Sequence, residues 1–336
     1  MNKLLIIRFS ALGDIAMTVP VVHDLAVQYP DLDITMLSRE MARSLFERLP
    51  NNVHFVAADL KGRHKGLFGL NRLLRDIHYK EFDFIADFHD VMRTQWLYFV
   101  CRLSGKKVAK IDKGRKGKKA LTRQKNKVLA QQATSFERYA KVLEQLGFPT
   151  KPQFVKLDYS DLCERQKPSD ATWIGIAPFA KHEAKAYPLT KMEEVIGSLS
   201  QRTNTIVFMF GGGTEEKQRI AELCAKYPNV QAAESQYGLS GELALMSQLD
   251  VMLTMDSANM HLASLVGTKV VSIWGSTHPY AGFLGWNQKL DDCVQLDLPC
   301  RPCSVYGNKS CMRGDYACLN GIAPSRIVEK LNAYLR

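Results

Sequence analysis

The chain has 336 residues and a hydrophobic fraction of 46%, which is enough for two domains that each bury a core. No stretch has the length and apolarity of a membrane span, and the apolar run at residues 4–7 is too short for the core of a signal peptide, so we expect a cytoplasmic protein. The net charge of +11 is uneven: residues before Pro168 contain 30 Lys and Arg against 18 Asp and Glu, a net charge of +12, and the remainder carries −1.

Strand-like and helical patterns alternate through the first half of the chain. Apolar runs typical of buried strands lie at residues 4–9, 34–38, 53–57 and 82–87, and helical patterns lie between them at 15–28, 41–49 and 91–103. This alternation predicts parallel strands joined by crossover helices.

Asp14 follows Gly13 at the end of the first predicted strand, where ligands of parallel sheets bind. A carboxylate there can accept a proton from an incoming hydroxyl, or it can cap the helix that begins near Ile15. Ser10 and Gly13 belong to the same loop, and a glycine lets a ligand approach the backbone. His89 and Asp90, at the end of the fourth strand, are weaker candidates for contact with the substrate that carries this hydroxyl.

The densest basic run covers residues 106–127. Such a run is most often a solvated, mobile loop, and the sharper interpretation is a surface for an anionic partner. The run has no interleaved aromatic residues, which argues against single-stranded nucleic acid as the partner. The candidate contacts are Lys116, Lys118, Lys119 and Arg123.

The alternating pattern restarts after a linker near residues 158–170. Strands are predicted at 173–177, 205–210, 251–255 and 270–275 and near Val230, and helices at 189–200, 215–226, 241–248 and 324–335. The glycine-rich turn at residues 211–213 lacks the spacing of a dinucleotide-binding fingerprint. Glu215 and Glu216 follow that turn at a predicted helix start, a place that favours exposed carboxylates.

The segment from residue 250 to residue 279 predicts a strand, a turn, a helix and a second strand. Asp256, Ser257 and Ala258 lie at the helix start, where unpaired N–H groups and the positive end of the helix dipole suit a phosphate. The alternative is an ordinary N-cap formed by Asp256 or Ser257. His261 lies on the same helix, and Thr277 lies in the small-residue turn after the second strand.

Five of the eight cysteines lie near the end of the chain. The spacing Cys300-x2-Cys303, followed by Cys311 and Cys318, is compatible with a zinc site, although the second pair lacks the tight spacing of a strong signature. Buried or redox-labile thiols are the favoured interpretation, and a reducing cytoplasm argues against disulfides.

Two motifs resemble glycosyltransferase family 9, the ADP-heptose:lipopolysaccharide heptosyltransferases. Residues 256–279 resemble the nucleotide-sugar site of that family, and residues 4–15 resemble its opening strand and base-bearing loop. The resemblance covers essentially the whole chain. It implies an α/β GT-B fold, with two Rossmann-like doubly wound domains that face a cleft.

The resemblance also implies roles for single residues. Asp14 would be the catalytic base, and the lysine before an aromatic-Pro pair, Lys185, would contact the donor phosphates, with Lys181 as a competing candidate. His261 would contribute to the donor site, and Glu215 or Glu216 would bind ribose hydroxyls.

Together, these observations predict an inverting, metal-independent glycosyltransferase that needs no cofactor. Residues 1–165 would form the basic acceptor-binding domain and residues 166–323 the nucleotide-sugar domain, with a helix at 324–336 that packs back on the first domain. The expected partners are a nucleotide-diphosphate sugar, for which ADP-heptose is the leading candidate, an anionic lipopolysaccharide-type acceptor and, transiently, the inner membrane surface. We expect a monomer that does not bind nucleic acid. The alternatives are another GT-B nucleotide-sugar enzyme, such as an epimerase, and a non-catalytic polyanion-binding protein.

Overall fold

A computed structural model describes residues 2–335. The strands are β1 (Lys3–Ile7), β2 (Asp33–Ser38), β3 (Val53–Ala57), β4 (Phe84–Asp87), β5 (Lys107–Lys110), β6 (Thr172–Ala177), β7 (Thr205–Met209), β8 (Val230–Ala232), β9 (Val251–Met255), β10 (Val270–Ile273) and β11 (Cys293–Val294). The helices are α1 (Leu12–Ala16), α2 (Val19–Gln28), α3 (Gly66–Asp76), α4 (Met92–Leu103), α5 (Arg115–Thr122), α6 (Ser135–Gln145), α7 (Leu189–Ser200), α8 (Thr214–Lys226), α9 (Leu239–Ser247), α10 (Ala258–Leu265), α11 (Ala317–Asn320) and α12 (Pro324–Asn332). No helix in this range is long and apolar enough to cross a membrane.

The chain divides into two compact units. The first contains Met1–Lys113 and Thr134–Leu157, and the second contains Gly114–Ala133 and Asp158–Arg336. The main boundary falls at the start of the predicted linker. The segment Gly114–Ala133 was expected in the first domain, but it packs within the second unit.

The first unit is built on a parallel sheet with strand order β3-β2-β1-β4-β5. Its central strands are apolar on both faces, as expected for a sheet covered by helices on each side. One layer of core includes Leu5 and Ile7 of β1, Leu73 of α3 and Leu97 of α4. This burial fixes the register of β1 and so the position of the loop that follows it.

The second unit repeats the plan with strand order β11-β10-β9-β6-β7-β8. Its strands are also parallel, and β6 and β9 are buried along their whole length. Both sheets therefore have the order of a doubly wound Rossmann fold, as predicted.

The last helix packs differently from the expectation. Ile327 and Leu331 of α12 are fully buried in the core of the second unit, together with Val195 and Leu199 of α7. The apolar stripe at positions i and i+4 of α12 is thus covered by its own unit, whereas the sequence had suggested packing on the first domain.

Several elements were not predicted from the sequence. In β5 two lysines flank Val108 and Ala109, so the strand is hidden in the basic run. The single helix expected at 15–28 is two helices, since the chain turns at Met17 and Thr18 before α2 begins. The two-residue strand β11 was missed because it is too short to show an alternating pattern.

Candidate active site

Each sheet has a topological switch point, where the order of strands reverses. In the first unit it lies between β1 and β4, and in the second between β6 and β9. Ligands of doubly wound sheets bind beyond the carboxyl ends of these strands. Four of the predicted site residues, Ser10, Asp14, Lys185 and Asp256, lie in the segments that follow β1, β6 and β9.

In the first unit, Asp14 lies in the first turn of α1 and forms an ion pair with Arg8. Arg8 Nη2 is 2.7 Å from Asp14 Oδ2, and the backbone N–H of Ala11 donates to the same oxygen at 3.1 Å. Arg8 is buried, and its Nη1 donates to the carbonyl of Phe88 at 2.6 Å. The carboxylate is therefore held in a fixed orientation and remains partly exposed, so a ligand can reach it.

His89 follows β4 and lies beside the same loop. The backbone N–H of Phe9 donates to its Nδ1 at 3.5 Å, and its Nε2 lies 3.3 Å from Ser10 Oγ. Burial, followed by the positive charges of Arg8 and Lys113, lowers the pKa of His89 to about 3. The imidazole is thus neutral near pH 7, with Nδ1 as acceptor and Nε2 carrying the proton toward Ser10.

A cavity of about 460 Å³ opens beside Ser10 and His89. Arg39, Lys61 and Arg93 line it, and its lining includes no acidic side chain. The nearby carboxylates have other partners: Asp59 accepts from backbone N–H groups, and Asp90 accepts from Gln95 and Lys110. The cavity therefore suits an anionic group. Ser10 lies on its wall, and Gly13 is not among the residues that line it.

In the second unit, Lys185 lies next to Asp256 at the start of α10. Lys185 Nζ is 2.9 Å from Asp256 Oδ2, and both side chains are largely buried. Gly307 packs directly against the Lys185 side chain, since a Cβ at this position would lie 2.3 Å from Lys185 Cγ. The competing candidate, Lys181, is exposed and lies outside this ion pair. The structure thus brings Lys185, and not Lys181, to the predicted phosphate site.

The helix α10 begins at Ala258, with Ser257 at its N-cap, as predicted. Ser257 does not cap the helix through its side chain. Its hydroxyl lies 3.1 Å from Thr254 Oγ1 instead, so the N–H groups of the first turn stay open to a ligand. His261 lies on α10 but is buried, which favours a supporting role over direct contact with a ligand.

The turn after β10 lies beside the Lys185 loop. The N–H of Ser276 donates to the carbonyl of Ala184 at 3.0 Å. A Cβ on Gly275 would lie 2.7 Å from that same carbonyl, so the two loops approach more closely than any other residue type allows. The hydroxyls of Ser276 and Thr277 are buried and have no hydrogen-bond partner within residues 2–335. The Thr277 hydroxyl thus lies in the turn that contacts the Lys185 loop and lacks a partner among these residues, and its role in donor binding stays a prediction.

The structure distinguishes Glu215 from Glu216, the two candidates for binding ribose hydroxyls. Glu216 Oε2 accepts the N–H of Gly212 at 2.8 Å and so closes the turn. Glu215 is exposed in the first turn of α8. Of the two, Glu215 therefore has the free surface that a ribose contact requires, and its role stays a prediction.

Residues 114–133, here named the basic segment, contain the C-terminal part of the basic run and are not the mobile loop that the sequence suggested. Lys118 is buried, and its ammonium lies 4.2 Å from the centroid of the Phe283 ring. Lys127 donates to the carbonyls of Arg301 and Pro302 at 2.7 and 3.0 Å, and the N–H of Gln132 donates to the carbonyl of Tyr280. The segment is anchored to the second unit by these contacts. Lys118 is thus unavailable to an acceptor, whereas Lys116, Lys119 and Arg123 are exposed.

This placement removes the charge asymmetry. Counted by structural unit, the first has 21 Lys and Arg against 15 Asp and Glu, and the second has 24 against 19, so the net charges are +6 and +5. The excess of positive charge in the first half therefore does not mark the first unit as the anion-binding one.

Comparison with known proteins identifies the family. The family model for glycosyltransferase family 9 (heptosyltransferase) matches residues 70–312. The chain belongs to this family. Lipooligosaccharide heptosyltransferase 2 of Campylobacter jejuni is 23% identical over 97% of this chain and 96% of its own length. Family membership makes the protein a heptosyltransferase-like enzyme, and the alternative of a non-catalytic polyanion-binding protein is set aside.

Two solved structures show the same fold as this glycosyltransferase. The glycosyl transferase family 9 protein of Veillonella parvula has a TM-score of 0.75 at 19% identity, over 99% of this chain and 97% of that one. E. coli heptosyltransferase WaaC with ADP-2-deoxy-2-fluoro heptose has a TM-score of 0.67 at 17% identity, over 98% and 99%. The fold class is therefore confirmed as the GT-B fold of heptosyltransferases.

The cysteines near the end of the chain form a small cluster. Cys300, Cys303, Cys311 and Cys318 line a common cavity, and all are free thiols. Burial raises the pKa of Cys318 to about 11, so this thiol stays protonated near pH 7. Among the described residues no group of three or more His, Cys, Asp and Glu side chains is arranged to hold a metal ion.

Three residues that shape the site were missed from the sequence. Arg8 orients Asp14, and Gly307 supports Lys185. Arg301 is buried, and its Nη2 donates to the carbonyl of Thr277 at 2.9 Å, which fixes the turn after β10. Only Arg8 had a signal in the sequence, because a charged residue at the end of an apolar strand is unusual in a buried position.

Proposed function

We propose that the protein is an inverting glycosyltransferase that moves a heptose from ADP-heptose to an anionic acceptor of the lipopolysaccharide core. The observation that carries this proposal is the largely buried ammonium of Lys185 at the open N-terminus of α10. A cation and a row of free N–H groups in one place form a site for a diphosphate. The ADP-sugar bound by WaaC, a protein of the same fold, supports ADP-heptose as the donor.

The reaction needs two functions from the protein. Asp14 accepts the proton of the acceptor hydroxyl while its oxygen forms the bond to the anomeric carbon. The bond from that carbon to the diphosphate breaks, and ADP leaves with the electron pair. Lys185 and the first N–H groups of α10 stabilise the negative charge that grows on the leaving phosphate. Attack from the face opposite the leaving group inverts the anomeric centre.

Charge stabilisation by Lys185 and α10 supports a reaction that proceeds without a divalent metal. The ammonium of Lys185 is positioned by Asp256 and would supply the positive charge that a leaving diphosphate requires. Ser257 and Thr277, in the turns that follow β9 and β10, carry hydroxyls that suit phosphate oxygens.

The cavity beside Ser10 supports an anionic acceptor. Three cations line it, at the same edge of the sheet as Asp14. A phosphate or carboxylate of the acceptor bound by Arg39, Lys61 and Arg93 places a neighbouring sugar hydroxyl near the base. The neutral His89 positions Ser10 and is not itself one of the cations that would bind the anion.

The direct test is turnover. The purified protein is incubated with ADP-heptose and a heptose-deficient lipopolysaccharide core, and ADP release and the acceptor mass are measured. We expect ADP release together with a mass gain of one heptose, in the presence of EDTA as well as without it. Release of ADP with no change in acceptor mass would contradict the transferase reaction and favour an epimerase-like or hydrolytic activity. Formation of product with retained anomeric configuration would contradict the single-displacement mechanism.

A further inference from the structure

An apolar surface lies on the outside of the helix pair α3 and α4. On α4, Met92, Trp96, Phe99 and Leu103 are spaced at i, i+4, i+7 and i+11, so they share one face of the helix. Met92 is 87% exposed and Leu103 is 73% exposed. The opposite face of α4 is already buried in the core through Leu97 and Cys101. A helix that is apolar on both faces is normally covered on both.

The same surface continues onto α3. Leu67 and Phe68 lie in the first turn of α3, and Phe68 is 92% exposed. Asn71, one turn further along, accepts a hydrogen bond from Trp96 Nε1 at 2.9 Å, which joins the outer faces of the two helices. We name the surface formed by Leu67, Phe68, Met92, Trp96, Phe99 and Leu103 the α3–α4 apolar surface. Contiguous apolar surface of this kind marks a binding site in a water-soluble domain.

The charges around this surface decide what it binds. The two helices carry four arginines, and their single acidic residue, Asp76, is held by Arg63 and His64 at 2.7 and 3.1 Å. Lys61 and Lys65 precede α3 and are exposed. A bilayer with anionic head groups matches both features, since acyl chains cover the apolar side chains and head groups pair with the cations. The arginines are Arg72, Arg75, Arg93 and Arg102.

We propose that the α3–α4 apolar surface docks the protein on an anionic membrane. Trp96 suits this position, because an indole with a satisfied N–H prefers the interface between head groups and acyl chains. The surface begins at Met92, which also lines the cation cavity beside Ser10. The inference rests on the proposed function in one respect: a lipid-borne acceptor held at the bilayer surface reaches that cavity directly. Binding to vesicles is measurable without it.

The test compares two sets of substitutions in the full chain. The first replaces Phe68, Phe99 and Leu103 with serine. The control replaces Val155, Leu290 and Met312, which are also exposed apolar side chains but lie outside this surface, with serine. The partition coefficient is measured by co-sedimentation with phosphatidylcholine vesicles that contain about 30 mol% phosphatidylglycerol. The anionic lipid gives these vesicles a negative surface.

We expect the first variant to lose at least about 10-fold in partition, because each buried apolar side chain adds to binding, and the control to bind like the unmodified protein. Transfer to a delipidated, soluble acceptor is expected to remain unchanged in the first variant. Equal vesicle binding by all three proteins would overturn the docking surface. So would a dimer of the unmodified protein that the first variant abolishes, since a second copy would then be the occupant. Docking as expected without any turnover would leave this inference standing and reject the proposed function instead.

Discussion

The ammonium of Lys185 lies 2.9 Å from the carboxylate of Asp256, at the N-terminus of an eight-residue helix. The carboxylate holds the lysine beside the positive end of the helix dipole. It fixes the lysine when no ligand is bound, and a phosphate can then share the lysine without a large rearrangement.

Lys185→Met is expected to weaken ADP binding by about 10- to 100-fold, the usual effect of losing one charge-assisted contact in a partly buried site. Isothermal titration calorimetry measures this directly. Because the substitution also leaves Asp256 without its cation, Lys185→Met combined with Asp256→Asn is the companion variant. It is expected to regain thermal stability and not ADP affinity. Lys181→Met, at an exposed position, serves as the control, and an equal loss there would reassign the phosphate contact.

Asp14→Asn is expected to lower kcat by about 10²- to 10⁴-fold, the usual contribution of a general base. The amide keeps the size of the side chain, and its oxygen can still accept from Ala11 and Arg8, so the fold and ADP affinity are expected to be unchanged although the Arg8 ion pair becomes a neutral hydrogen bond. Steady-state kinetics with calorimetry in parallel separates these quantities. Full activity of this variant would show that another group takes the proton.

A triple variant removes the three cations of the cavity beside Ser10: Arg39→Gln, Lys61→Gln and Arg93→Gln. The acceptor KM is expected to rise by about 10-fold and to depend less on salt, because the acceptor anion then no longer meets these three charges. The donor KM is expected to stay the same. The matched variant replaces Lys116, Lys119 and Arg123, which are exposed on the basic segment, with glutamine. A larger effect in this second variant would place the acceptor at the basic segment instead.

His89 is expected to make the protein less stable in acid. Its pKa falls from 6.5 to about 3 on folding, because burial and then Arg8 and Lys113 disfavour its charged form. The unfolded chain therefore binds the extra proton first, and stability is lost as the pH falls from about 6.5 toward 3. Between pH 7 and pH 5 this loss is about 2 kcal/mol.

Urea denaturation of His89→Gln at both pH values measures the effect. The difference in unfolding free energy between pH 7 and pH 5 is expected to shrink by about 2 kcal/mol in the variant. His54→Gln, at an exposed position, is expected to keep the full difference. An unchanged difference in His89→Gln would mean that the imidazole is not held neutral.

Much of the fold could be predicted because many strands and helices are recognisable from the pattern of consecutive residues. The strand β9 and the helix α7 have the predicted bounds, since a run of apolar residues and a 3.6-residue period are local signals. The start of α10 was predicted for the same reason. The strand β5 was missed, because its two apolar residues lie among lysines and only pairing with β4 makes it a strand.

The candidate site divides in the same way. Asp14, Ser257 and Thr277 were candidates because each follows a predicted strand, and ligands of parallel sheets bind beyond the carboxyl ends of strands. Lys185 was a candidate only through the family resemblance of the lysine before an aromatic-Pro pair. The contacts that orient them, from Arg8, Arg301 and Gly307, come from residues that the sequence does not single out. Predicting those contacts requires the packing of distant segments.

By itself, the sequence determined the class of the fold, the two sheets and the family, since these depend on periodicity and on short motifs within a few consecutive residues. The tertiary structure alone decided where the basic segment lies. Lys118 packs on Phe283 and Lys127 reaches the carbonyls of Arg301 and Pro302, more than 150 positions away in each case. A charge run has the same composition whether it is solvated or anchored, and only the partners brought to it by the fold distinguish the two.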